Sequence, residues 1–147
     1  MNRPLVAEVR TSIDANRNLV WRALVSPAAI KQYMLGADVE SDWTPGSDIT
    51  WRGEYNRRRF EDHGEIVDIE PEHLLRYTHF SGSSGQPDRP ENYHTVTIDL
   101  AEAGTVTEVL LSQDNNPNEA ARAESEKNWW LMLEGLKKYV ERQAHVA

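Results

Sequence analysis

The sequence of 147 residues predicts an α+β fold, a curved antiparallel sheet of about six strands wrapped around a long C-terminal helix, with two short helices after the first strand. Three observations predict it. Several separate segments alternate apolar and polar residues with period 2, as half-buried strands do. Two short runs with helical spacing lie between the first of these segments and the next. The C-terminal segment carries one apolar stripe at helical spacing, and the only large apolar surface on which an amphipathic helix of that length can lie is the inward face of the sheet.

From Leu5 to Ile13, the apolar Leu5, Ala7, Val9 and Ile13 alternate with the polar Glu8, Arg10 and Ser12, giving the first strand. Asn16 to Val25 follows as a short helix, with Leu19, Val20, Ala23 and Leu24 on one side. Ser26 and Pro27 supply the cap and first position of a second helix that runs through about Tyr33, proline being tolerated where no backbone donor is needed. After the turn Trp43-Thr44-Pro45-Gly46, Ile49, Trp51, Gly53 and Tyr55 alternate with Thr50, Arg52 and Glu54. A partner strand pairs with this one across Asn56-Arg57-Arg58 and runs from Arg59 to Ile69, ending at Glu70-Pro71-Glu72. Three further strands carry Leu75, Tyr77 and His79, then Val96, Ile98 and Leu100, then, beyond Gly104, Thr107, Val109 and Leu111. Ser81 to Asn92, rich in Gly, Ser and Pro, is a long loop inside the domain. Asn116-Pro117-Asn118-Glu119 reads as a capping box with Asn116 as cap and Pro117 at the first helical position. Trp129, Met132, Leu133, Leu136 and Val140 then line one face of a helix that ends near Gln143. No repeat or low-complexity tract interrupts the chain, so residues 1–147 are expected to form a single domain.

The chain has 16 basic and 24 acidic side chains, a formal charge of −8. Residues 61–126 hold three basic and fifteen acidic groups, so the charge is concentrated on the predicted meander of strands and its loops. An acidic protein is poorly suited to phosphate backbones, so no nucleic-acid partner is expected. Cysteine is absent, which excludes disulfides, thiolate nucleophiles and Cys-ligated zinc and permits a reducing cytoplasm. The longest apolar run, Trp129 to Leu133, is far short of the roughly 20 residues a membrane span needs, and no signal-peptide pattern opens the chain. These features predict a soluble, cytoplasmic protein.

Searching for chemistry eliminates several classes. His73 and His79 share a strand face, but six residues at about 3.3 Å each place them ~20 Å apart, too far to hold one metal ion. His63-Gly64-Glu65 imitates half of a deaminase zinc signature, yet no Cys pair follows. Gly82-Ser83-Ser84-Gly85 is one residue short of a nucleophile elbow, and no phosphate- or dinucleotide-binding glycine pattern occurs, so no cofactor is implied. Arg57, Arg58 and Arg59 cluster on a hairpin turn, where they serve solubility.

The informative residues are those projected inward. Period-2 geometry sends Trp51, Tyr55, Tyr77, His79, Thr107, Val109, Leu111 and Gln113 toward Trp129, Met132 and Leu133 of the last helix. Such a mostly apolar wall with a few hydroxyl, imidazole and amide tips has the composition of a small-molecule pocket, and the same aromatics equally serve as plain core. No residue is assigned as catalytic. His79 is a candidate general acid or base because imidazole titrates near neutral pH. Asp62 joins it if the Phe60 and Ile66 side of its strand faces inward; the alternative is an exposed position near the strand end.

Five segments together resemble the SRPBCC superfamily: Val20-Trp21-Arg22-Ala23-Leu24 with Ser26-Pro27; Gly64-Glu65-Ile66-Val67-Asp68-Ile69-Glu70-Pro71; Leu75-Arg76-Tyr77-Thr78; Gly104-Thr105; and Asn128-Trp129-Trp130 with Leu133 and Leu136-Lys137. More narrowly, the chain is similar, from about Val9 to Glu141, to bacterial single-domain proteins resembling the C-terminal domain of the activator of the heat-shock-protein-90 ATPase. The resemblance implies a helix-grip fold, related to START lipid-transfer domains and the birch-pollen allergen, with a cavity between sheet and helix. It implies no shared catalytic residues, since such proteins include lipid and hormone binders, cyclase-type enzymes and chaperone regulators. The leading expectation is a binding or carrier protein for a hydrophobic or aromatic small molecule. A cyclase or dehydratase using His79 with Tyr55, Tyr77 or Asp62, and a chaperone-regulating protein of the stress response, are the alternatives. A homodimer formed through an exposed apolar patch beside Trp129 and Trp130 stays open.

Overall fold

In a computed structural model that describes residues 5–145, the side chain of Tyr55 excepted, strand β1 (Leu5–Ile13) leads into helices α1 (Arg17–Leu24) and α2 (Pro27–Tyr33). Strands β2 (Asp38–Ser41), β3 (Asp48–Tyr55), β4 (Arg58–Glu70), β5 (Leu74–Ser81), β6 (His94–Ala103) and β7 (Val106–Asn116) follow, and helix α3 (Glu119–Ala144) completes the chain. The strands form one sheet in the order β1-β7-β6-β5-β4-β3-β2, and every neighbouring pair is antiparallel. With α3 held against its concave face, this is the helix-grip arrangement that the resemblance implied.

Local chemistry explains the element ends. The side chains of Asn16 and Ser26 accept hydrogen bonds from the backbone amides of Leu19 and Ala29, capping α1 and α2. The β3–β4 hairpin turns on Asn56 and Arg57 alone, with φ of +54° and +65°; two left-handed residues give the turn whose twist matches antiparallel strands. Arg58 is therefore already in the strand rather than in the turn.

Two details depart from the sequence reading. The sheet has a seventh strand, β2, whose single buried side chain, Val39, is too little for a periodic signal. The cap of α3 is Asn118, which accepts from the Ala121 amide at 2.8 Å, and not Asn116. Asn116 is still strand: its Nδ2 donates to the Leu5 and Gln113 carbonyls, which ties the last residue of β7 to the sheet and delays the helix by two residues.

The core lies between sheet and α3. Ile13, Val20, Ile66, Val96, Leu111, Leu133, Leu136 and Val140 are at most 1% exposed, and each such side chain contributes about 1.5–3 kcal/mol on burial. Because β1 is an edge strand, its outward amides need partners. The helix supplies them: carboxylates of Glu126 and Glu141 accept from the Glu8 and Asp14 amides at 3.1 and 2.9 Å, and Lys137 donates to the Ser12 carbonyl. These bonds hold both carboxyls below the usual range, the backbone donor being the first cause in each.

On the convex face, Tyr93 stacks on Phe80 with centroids 5.2 Å apart. Its hydroxyl donates to Asp88 at 2.5 Å, and His63 Nε2 donates to the same carboxylate at 2.9 Å. Burial, then the bond to Asp88, pushes the Tyr93 hydroxyl up to about 12. The long loop before β6 is thereby folded back onto the sheet.

Candidate functional site

Along β4, Phe60, Asp62, Gly64 and Ile66 share one face, and Gly64 and Ile66 are buried on it, so Asp62 points inward. His79 of β5 lies diagonally across from it, and its Nε2 is 3.0 Å from Asp62 Oδ2. A carboxylate only accepts, so Nε2 carries the proton and Nδ1 is the acceptor of the neutral ring. Trp51 of β3 meets His79 edge-on and Tyr77 at a tilt, both with centroids 5.2 Å apart. On the other side, His94 stacks on His79 at 6.5 Å and is itself anchored through Nδ1 to the Asp114 carbonyl. The second oxygen of Asp62, Oδ1, is buried with no hydrogen-bond partner among the described residues. An unmet acceptor of this kind costs about 1–3 kcal/mol.

Trp51, Asp62, Tyr77 and His79 form one wall of a half-open cleft of about 650 Å³ between the sheet and α3. Trp129 and Met132 form the facing wall. The indole of Trp129 is held by its Nε1 donating to Gln113 Oε1 at 2.5 Å. Gln113 in turn donates to Asn116 and Ser125, so a buried amide network sets the angle of the ring. Burial drives the hydroxyl of Tyr77 upward, and that of Tyr33, which donates to the Ala23 carbonyl at 2.8 Å, well upward. Neither ionises at neutral pH. Deeper in, behind Tyr77 and Met132, a void of about 20 Å³ remains, enough for about one water. The interior is packed there, and the space between the sheet and α3 lies in the outer cleft.

Of the residues expected to bind ligand, the structure brings Trp51, Tyr77, His79, Trp129 and Met132 to the cleft, together with Asp62. Val109, Leu111 and Leu133 face inward as expected, but lie fully buried in the core and outside the cleft. Gln113 acts one step back, through Trp129. The side chain of Tyr55 lies outside the described residues. Several lining groups were not anticipated. Tyr33 ends α2, and Met34, Leu35 and Ala37 come from the α2–β2 connection, where Leu35 and Gly36 adopt φ of +54° and +73° and no periodicity marks an inward face. Glu124, Asn128 and Leu131 of α3 form the lip; Asn128 lies four residues before Met132 and Glu124 four before Asn128, and that helical spacing is the sequence signal that points to these two.

No group of His, Asp or Glu side chains suited to a metal ion occurs among the described residues, and no helix among them is long and apolar enough to cross a membrane.

Comparison with known proteins places the architecture. No curated protein matches the sequence. A protein from Cytophaga hutchinsonii, with a known solution structure, is 47% identical over 99% of this chain and 100% of its own, with a TM-score of 0.86. The Aha1 dimer from Colwellia psychrerythraea is 18% identical over 93% of this chain and 96% of its own, with a TM-score of 0.72. CalU16 from Micromonospora echinospora is 19% identical over 95% and 86%, with a TM-score of 0.73. The last two share the fold alone. Residues 14–141 match the family model described as activator of Hsp90 ATPase homolog 1-like protein, and with the Cytophaga relative this establishes that the chain belongs to that family.

Proposed function

We propose that this protein is a cytoplasmic binding or carrier protein for a hydrophobic or aromatic small molecule, held in the cleft between the sheet and α3. The observation that carries the reading is the cleft itself. Its volume of about 650 Å³ falls within the roughly 300–1,000 Å³ of small-molecule sites, and its walls are aromatic with few, fixed polar tips. Titration with 2-naphthalenemethanol, followed by tryptophan fluorescence, tests it: Trp51 and Trp129 line the cleft, so a saturable change is expected. Met132→Trp, which fills the cleft, abolishes that change while the far-ultraviolet circular dichroism stays native. Absence of a saturable response up to millimolar probe, or an unchanged response in Met132→Trp, refutes the reading.

A second reading is supported by the contact of 3.0 Å between His79 and Asp62. A carboxylate that orients an imidazole at a cleft wall is the arrangement of a general base, as a cyclase- or dehydratase-type enzyme requires. His79→Ala then abolishes turnover of an identified substrate with the melting temperature unchanged; retained turnover excludes the assignment.

A further inference from the structure

We infer that the cleft selects a ligand carrying a protonated amine beside its aromatic or apolar body; the inference rests on the binding reading above and specifies the chemical class of the ligand. The lining carries two carboxylates, Asp62 on the sheet and Glu124 on the helix, and among the described residues that line it there is no lysine or arginine. A carboxylic acid or phosphate entering the cleft would meet like charge and no lysine or arginine, whereas an ammonium group finds both carboxylates. The rest of the wall favours the same ligand. Trp51, Phe60, Tyr77 and Trp129 line the same cleft as the two carboxylates, and ring faces attract cations as well as apolar groups. Asp62 also has unused capacity. His79 occupies only Oδ2, and Oδ1 has no partner among the described residues. An N–H of a ligand that reaches Asp62 supplies the hydrogen bond that Oδ1 lacks.

Three probes that share one ring system separate charge from shape: 2-naphthalenemethylamine, 2-naphthalenemethanol and 2-naphthoate, titrated calorimetrically at pH 7 into the intact protein. The amine is expected to bind about tenfold more tightly than the alcohol, and the carboxylate more weakly than both. Asp62→Asn brings the amine to within about threefold of the alcohol, the ratio of the two affinities being the readout, because the negative charge is removed. Glu124→Gln, at an exposed helix position, reduces the amine preference by about twofold and guards against a folding defect in Asp62→Asn. Equal binding of amine and alcohol, or tightest binding of the carboxylate, overturns the charge selection and leaves the binding reading intact. Binding of none of the three overturns both.

Discussion

Gly64 is the position where one added carbon should do most damage. A methyl group there would lie 1.8 Å from the Thr78 carbonyl oxygen and 2.5 Å from its carbon, both backbone atoms of the neighbouring strand. Ordinary contact begins near 3.4 Å, so in Gly64→Ala β4 and β5 must separate locally by about 1.6 Å, a third of the normal spacing between strands. No side-chain rotation relieves a clash with backbone. Overpacking of this kind costs about 1–3 kcal/mol, and weakening one or two ladder hydrogen bonds adds about 1 kcal/mol each. The expected destabilisation is about 3–4 kcal/mol, which for a chain of this length lowers Tm by about 10 °C. The site responds too, because Asp62 lies two residues before Gly64 on β4, His79 lies on β5, and their contact of 3.0 Å spans the strands being forced apart. Thermal melts followed by circular dichroism measure the first effect, and the chemical shifts of the His79 ring measure the second. A Gly64→Ala variant that melts within about 2 °C of the native protein, with an unchanged His79 ring, would refute the strand geometry described here.

Three other outcomes follow from packing and charge. Leu136, fully buried on the inner face of α3, should cost about 2–5 kcal/mol when replaced by alanine, read as a lower urea midpoint with unchanged slope; a loss under 1 kcal/mol contradicts its central place. Asn118→Ala removes a cap and should cost about 1 kcal/mol. Asn116→Ala should cost more, since its amide bridges the Leu5 and Gln113 carbonyls at 5% exposure; the reverse order in urea unfolding contradicts the shifted helix start. The carboxyls of Glu126 and Glu141 are depressed on folding from 4.5, so their stabilisation is complete above that value and is lost as pH falls through their lower folded values. The double variant Glu126→Gln/Glu141→Gln should therefore show a shallower loss of stability between pH 5 and pH 2, and an unchanged acid limb argues against the edge-strand contacts.

The extent to which the sequence reveals this architecture follows from what periodicity measures. Trp51, Tyr77 and His79 were assignable because each sits in a strand long enough to alternate several times, and Leu133, Leu136 and Val140 because α3 is long enough to display its stripe. Val39 fails the same test: β2 spans four residues with one buried. Asn116 shows a different limit. An asparagine before a proline is chemically a good cap, and only the pairing of β7 with the far end of the chain, through the Leu5 carbonyl, makes it a strand residue. Local propensity cannot register a partner more than 100 positions away.

The cleft was harder to see than its walls, because a wall is made of side chains and a gap of missing volume. Val109 and Leu111 face inward on the same terms as Tyr77, yet one pair is sealed and the other residue borders open space. The difference is which strands α3 covers. The helix is bonded along the β1 edge through Glu126, Lys137 and Glu141, so the grip is closed over β1 and β7. Toward β3 and β4 the wall includes small residues: the Phe60 ring packs against Gly53, where a methyl group would come within 2.7 Å of it, and Ala37 lies beside that glycine. Volume is therefore short on one side only. The open end consequently falls where Asp62, His79 and Trp51 converge, and not over the aliphatic centre of the sheet. A ligand in that position meets polar chemistry as well as apolar surface, which is why the character of its charged group, more than its bulk, should decide what the cleft accepts.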